Sequence, residues 1–232
     1  MKHVLVVLIT IVSALLICSN PALGGKSLSL VEKRQAAESG DMLAQFELGK
    51  AYDFGEDTER DTQQAAIWYQ KAAAQGHGAA QNNLGSLYQF GDGVKQDYVE
   101  AVRWYQKSVQ QGYPPDAYSN LGYMYANGLG VQKDEARAIT LYREGVDKGS
   151  LRAMANLGVV YWKSDSTTKD LEQAFMWLEL TRFYTQKFND MKLKWQVRGM
   201  LDELKKEMSK DQIKRGEKLA KEWSSQWIAK HQ

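Results

Sequence analysis

Small and apolar residues recur at a regular interval along most of the chain. The pattern Ala-x-x-x-Leu-Gly-x-x-Tyr occurs four times, with its leucines at positions 48, 84, 121 and 157, which are 36, 37 and 36 residues apart. Its Ala, Leu and Tyr are spaced four residues apart, so they share one face of an α-helix. A second apolar position follows each leucine by twenty residues and holds Trp68, Trp104, Leu141 and Trp177. The pattern predicts four helix pairs stacked into a solenoid.

Residues that begin and end helices stand at the boundaries of these pairs. Gly91 and Gly128 follow two of the first helices, and glycine tolerates the left-handed conformation that ends many helices. The second helices are predicted to begin at N-cap or first-turn acids, namely Asp61, Asp97, Asp134 and Asp170. The second and third repeats have a Gly-x-Gly-Val loop between their two helices, at 91–94 and 128–131. The other two repeats differ there: the first has Gly55-Glu56-Asp57-Thr58 and the fourth has Ser164-Asp165-Ser166-Thr167.

The combination of Leu-Gly-x-x-Tyr, Gly-x-Gly-Val and Ala-x-x-Trp-Tyr resembles the Sel1-like repeat family, relatives of tetratricopeptide repeats, from about Leu28 to Trp223. The expected fold is all-α, a right-handed α/α superhelical solenoid with capping helices at both ends. The predicted divisions are an N-terminal capping helix in 25–40, four repeats in 41–187 and C-terminal capping helices in 188–232. Capping helices are expected because an open solenoid end exposes apolar surface.

The first 24 residues have the pattern of an export signal. Met1-Lys2-His3 precedes an uncharged stretch from Val4 to Ile17, which is too short to span a bilayer and suits a signal-peptide core. Small residues at Ala22 and Gly24 fit a cleavage site. We therefore expect an exported, periplasmic protein with no integral membrane span after processing; the alternatives are a lipid anchor on Cys18 and secretion.

Composition narrows the possible chemistry. The formal charge is +2, which offers little attraction for a nucleic-acid backbone, so no nucleic-acid partner is expected. One cysteine and three histidines are too few for a typical zinc site or a histidine-centred triad. We accordingly expect no catalytic residues, no metal and no cofactor.

A candidate binding surface follows from helical geometry. In such a stack the first helices line the concave side. With the motif alanine as position 0, positions 2, 3 and 6 turn away from the core. Together with Trp162, an aromatic outside the repeat consensus, the predicted groove comprises Phe46, Lys50, Asn82, Asn83, Ser86, Ser119, Asn120, Tyr123, Asn156, Val159 and Trp162.

Asparagine recurs in this groove at positions 83, 120 and 156. An amide can donate and accept hydrogen bonds at once, so a row of asparagines could pair with the backbone of an extended ligand. The alternative is that they satisfy polar groups between neighbouring helices. Both interpretations stay open at this point.

The predicted function is a non-catalytic scaffold of the bacterial envelope, monomeric, that binds another protein or a peptide in its concave groove. One alternative comes from the family resemblance: some exported Sel1-like proteins are periplasmic immunity proteins that neutralise antibacterial phospholipase effectors. A further alternative is β-lactam binding or hydrolysis, which is linked to cysteine-rich members. This chain lacks their cysteines.

Overall fold

The structure, a computed structural model, describes residues 29–164, 168–187 and 190–230. The predicted signal peptide and Cys18 lie outside these residues. Within them the chain forms eleven α-helices and no strand, which confirms the all-α solenoid. The helices are α1 (Leu30–Glu38), α2 (Met42–Phe54), α3 (Thr62–Ala74), α4 (Gly78–Phe90), α5 (Tyr98–Gln110), α6 (Pro115–Asn127), α7 (Glu135–Asp147), α8 (Leu151–Lys163), α9 (Leu171–Lys187), α10 (Met191–Lys206) and α11 (Lys210–Lys230).

The helices form four antiparallel pairs, α2–α3, α4–α5, α6–α7 and α8–α9, and each pair packs on the next. The first helices of later repeats also touch one another, α4 with α6 and α6 with α8, more than the second helices do. The array therefore curves with its first helices on the concave side. None of the described helices has both the length and the apolar character needed to cross a membrane.

Local capping interactions fix the ends of the helices. The side chains of Asp61, Asp97 and Asp134 accept hydrogen bonds from backbone N–H groups in the first turns of α3, α5 and α7. Three first helices end at a left-handed glycine, for example Gly91 with φ of 75°. The fourth ends at Ser164 in extended conformation, as its departing loop sequence suggested.

Each of the first three pairs is held together by a glycine packed against a tyrosine ring. In the second repeat, a Cβ atom on Gly85 would lie 2.8 Å from two ring carbons of Tyr105, closer than real Cβ contacts allow. Gly49 and Gly122 meet Tyr69 and Tyr142 in the same way. The tyrosine rings are buried, so the motif glycine sets how closely the two helices of a pair approach.

Additional helices cover both ends of the array. At the N-terminus, α1 packs on α2, and Arg34 donates a hydrogen bond to the hydroxyl of Tyr52. The same arrangement recurs three repeats later, where Arg143 donates to Tyr161 over 2.9 Å, so α1 occupies the place of a second helix. At the C-terminus, α10 and α11 both pack on α9, with Trp223 in edge contact with Trp177.

Candidate functional site

The concave side holds a cleft of about 530 Å³ that runs across the first helices of the last three repeats. Helix α2 contributes its C-terminal residue, Phe54, and the second helix α5 contributes Tyr105. The lining residues are Phe54, Asn82, Asn83, Ser86, Gln89, Phe90, Tyr105, Asp116, Asn120, Tyr123, Arg152 and Asn156. Six of the eleven residues predicted for the groove therefore meet here: Asn82, Asn83, Ser86, Asn120, Tyr123 and Asn156.

Three other predicted residues do not line this cleft. Phe46 stacks on the ring of His77, with 4.3 Å between ring centroids. Lys50 forms an ion pair of 3.1 Å with Glu47. Val159 is half-buried on α8. The first repeat thus uses its groove positions for contacts within the chain.

The prediction is wrong for Ser119 and Trp162, which are both buried. The Ser119 hydroxyl accepts a hydrogen bond from the amide of Asn156 over 3.0 Å, because the neighbouring α8 covers it. The Trp162 indole N–H donates to Oε1 of Glu207 over 2.9 Å, just beyond the end of α10. Helical geometry within one repeat does not show that other helices close over these two positions.

The row of asparagines connects successive repeats. The Asn120 amide donates to Oδ1 of Asn82 over 2.9 Å, and Asn156 makes the matching bond to Ser119. Asn83 cannot make this bond, since the corresponding side chain of the previous repeat is Phe46. Asn120 and Asn156 thus have a structural role, because each joins its repeat to the previous one. Each amide still has a second N–H and a carbonyl oxygen beyond the bond it makes, so the row keeps hydrogen-bonding capacity towards a ligand.

Two aromatic residues that sequence analysis missed form the edge of the cleft. Phe54 and Phe90 are the last residues of α2 and α4, and each side chain is 64% exposed. They stand ten residues after the motif alanine, a position that helical geometry turns to the same side as positions 3 and 6. Extending the helical projection to position 10 would have found both.

The cleft also contains one charge of each sign, at the position just before the motif alanine. Asp116 accepts a hydrogen bond from the Ser150 hydroxyl over 2.8 Å. Arg152 is exposed and has no ion pair within the part of the chain that the structure describes.

Tyrosine hydroxyls from the second helices reach this side as well. Burial raises the pKa of Tyr105 above its usual value, although a hydrogen bond with Ser86 and the charge of Arg152 act in the opposite direction. Tyr105 therefore stays protonated and donates to Oε1 of Gln89 over 2.7 Å. The hydroxyl of Tyr69 donates similarly to Asp53, whose pKa is raised by burial despite that bond.

His77 caps the N-terminus of α4. Its Nδ1 accepts a hydrogen bond of 3.2 Å from the backbone N–H of Ala80, which requires the neutral imidazole. Burial lowers the pKa of His77 below its ordinary value of 6.5, with the charge of Glu47 opposing that shift. Its position as a helix cap explains why this histidine stands between the first two repeats.

Comparison with known proteins identifies the repeat. The family model described as Sel1 repeat matches four segments, residues 43–77, 78–113, 115–150 and 151–181. Members of this family generally act as scaffolds for protein–protein interaction. The comparison with curated proteins gave no match.

Several solved structures are similar to this chain. A protective antigen of uropathogenic Escherichia coli strains is 38% identical, with a TM-score of 0.60, over 66% of this chain and 32% of that one. The chain thus spans about a third of the length of that antigen. A Sel1 repeat protein from Oxalobacter formigenes is 31% identical, with a TM-score of 0.56, over 68% of this chain and 70% of that one.

A more distant likeness is to an immunity protein of Pseudomonas aeruginosa. It is 22% identical, with a TM-score of 0.35, over 72% of this chain and 73% of that one. A similarity at this level carries no argument about function. The four matched segments, by contrast, cover more than half of the chain and coincide with its four helix pairs. The chain belongs to the Sel1 repeat family.

Proposed function

We propose that this protein is a non-catalytic scaffold that binds a segment of another protein in its concave cleft. The observation that carries this proposal is the set of exposed aromatic side chains in the cleft, Phe54 and Phe90 at 64% and Tyr123 at 42%. Aromatic residues dominate the energetics of protein interfaces when a partner covers them. Within the part of the chain that the structure describes, these three side chains are open to solvent.

The cleft suits an extended segment that has polar, apolar and charged groups. The amides of Asn120 and Asn156 can hydrogen-bond to a partner's backbone while keeping their bonds to the previous repeat. Phe54 and Phe90 offer contact to apolar side chains. Arg152 and Asp116 place opposite charges along the path, which favours partners with complementary charges.

The chemistry of the lining supports binding without catalysis. The residues that line the cleft include no histidine, lysine or cysteine. The lining therefore lacks the histidine or lysine that most often activates a hydroxyl nucleophile. Elsewhere in the described residues, no three histidine, cysteine, aspartate or glutamate side chains are grouped so that they could hold a metal ion.

We propose further that the scaffold works in the bacterial envelope, most readily the periplasm. The support is the sequence of residues 1–24, with its basic start, apolar core and small residues before position 25. Cell fractionation and N-terminal sequencing of the recovered protein test this. A chain recovered from the cytoplasm with its N-terminus intact would contradict it.

The binding proposal is tested by capturing partners from the envelope and measuring the affinity of each purified partner. Tyr123→Ala should weaken the interaction at least about tenfold, as expected for an interfacial aromatic. Ile67→Ala is the matched control, because Ile67 is 45% exposed but lies on α3, a second helix. Equal affinity of the two variants would show that the partner does not bind in the cleft.

A further inference from the structure

A second cleft lies between α9 and α10 and has a different character from the concave one. It has a volume of about 410 Å³ and is lined by Arg182, Gln186, Lys194, Arg198, Leu201, Asp202 and Lys205. Four of these seven residues are cationic and one is anionic. Arg182 is already held by Glu179, to which its Nε donates over 2.9 Å. The remaining charges belong to α10.

The three cations on α10 have no carboxylate to balance them individually. Within the described part of the chain, Lys194, Arg198 and Lys205 form no ion pair. Lys194 and Arg198 are one helical turn apart, a spacing at which like charges destabilise a helix slightly. Lys205 Nζ lies 5.7 Å from the centre of the Phe175 ring, which is a weak attraction, but no ion pair among the described residues offsets the mutual repulsion of the three cations. An anionic partner would offset it.

The cations are positioned by the way α10 packs. Val197, Leu201 and Leu204 are buried towards the rest of the chain, and the cationic residues follow one flank of that apolar face. The helix as a whole, Met191–Lys206, has five basic and two acidic residues. This helix therefore carries a net charge of +3, against +2 for the whole chain.

Exposed apolar side chains adjoin this basic flank. Trp195 is 61% exposed and Met191 is 47% exposed, and helical geometry puts both on the side of α10 that carries Arg198. The Arg198 guanidinium lies 5.6 Å from the centre of the Trp195 ring. An exposed tryptophan beside lysines and arginines is typical of helices that lie at a lipid–water interface.

We propose that this face of α10 binds the surface of an anionic phospholipid membrane. Lys194, Arg198 and Lys205 lie near the lipid phosphates, while Trp195 and Met191 sit at the level of the headgroups. The concave cleft lies on the first helices and does not include this face, so a membrane-bound protein could still hold a partner. An acidic protein or a soluble phosphate compound would use the cations without requiring Trp195.

Co-sedimentation with vesicles tests the proposal. The protein should bind vesicles made of equal parts phosphatidylglycerol and phosphatidylcholine and should bind phosphatidylcholine alone at least about tenfold more weakly. The charge reversal Lys194→Glu/Arg198→Glu should lower the affinity for the anionic vesicles by about tenfold or more. The matched control is Lys95→Glu/Arg137→Glu, which makes the same charge change on two repeat residues outside this cleft. All variants have the same N-terminal residues, so a difference in vesicle binding between them reports on α10.

A second measurement separates a lipid surface from other anions. Brominated phosphatidylglycerol should quench the fluorescence of the unmodified protein more than that of Trp195→Phe. Circular dichroism checks that all variants are folded. Equal binding of the two charge-reversal variants, equal binding to both vesicle types, or displacement from vesicles by glycerol phosphate would each overturn the proposal.

Discussion

The Asn120 amide donates a hydrogen bond of 2.9 Å to Oδ1 of Asn82, its neighbour one repeat earlier. Both side chains also line the concave cleft. The same residues therefore join the repeats and face any partner. A change at either position is expected to affect stability and binding together, and the two effects have to be measured separately.

A double-mutant cycle on this pair measures the contribution of the bond between repeats. Asn120→Ala should lower the free energy of unfolding by about 1 kcal/mol, because the half-buried Oδ1 of Asn82 loses its donor. The coupling energy between Asn82→Ala and Asn120→Ala should be about 0.5–1 kcal/mol. Chemical denaturation of the four proteins gives this number, and additive effects would show that the bond contributes nothing.

The close approach of Gly85 and Tyr105 can be tested by the effect of a glycine substitution on stability, with a control substitution that should have the opposite effect. Gly85→Ala should destabilise the protein by about 1–3 kcal/mol, because the new Cβ meets a buried ring that its bond to Gln89 holds in place. Gly199→Ala on α10 has open space around the new Cβ and should gain up to about 1 kcal/mol from helix propensity. Thermal denaturation compares the two. A Gly85→Ala protein as stable as Gly199→Ala would contradict the packing described.

His77 predicts a dependence of stability on pH. The folded chain favours the neutral ring, so the stability due to this group is fully present above pH 6.5 and is lost as pH falls below that value. Asparagine is a good N-cap at every pH, so the stability advantage of His77→Asn over the unmodified protein should grow between about pH 7.5 and pH 5.5. Denaturant titrations at the two pH values test this. A constant difference would show that the cap does not depend on the neutral imidazole.

The structural role of Trp162, which is buried and does not line the groove, can be tested by its effect on stability. Trp162→Phe should cost about 1–2 kcal/mol, since it removes the bond to Glu207 that ties α8 to the C-terminal helices. Trp195→Phe is the control and should leave stability within about 0.5 kcal/mol, because Trp195 is exposed. Calorimetry measures both, and partner affinity should be unchanged by Trp162→Phe. A loss of affinity without a loss of stability would return Trp162 to the groove.

The sequence was sufficient to predict the helix pairs, because each boundary depends on residues close to it in the chain. Asp61 and Gly91 illustrate this, as each fixes a helix end through bonds within one turn or loop. The motif spacing likewise identified the concave side, on which Asn120 and Tyr123 lie.

Contacts between distant segments set the limit of that prediction. Trp162 forms its hydrogen bond with Glu207, 45 residues further along the chain, and Ser119 forms its bond with Asn156, 37 residues further along. Nothing in the spacing of one repeat indicates such a covering helix. Phe54 and Arg152 were missed for a simpler reason, since the helical projection was not extended beyond the motif itself.

Site-specific photocrosslinking in cells tests most directly whether the concave cleft binds a protein partner. A photoreactive amino acid is placed at Tyr123 or Phe90 in the cleft, or at Ile67 or Val99 on the second helices α3 and α5, where exposure is comparable. We expect one crosslinked partner to form from the two cleft positions and not from the other two. Crosslinks from Ile67 and Val99 with none from Tyr123 and Phe90 would contradict binding in the cleft.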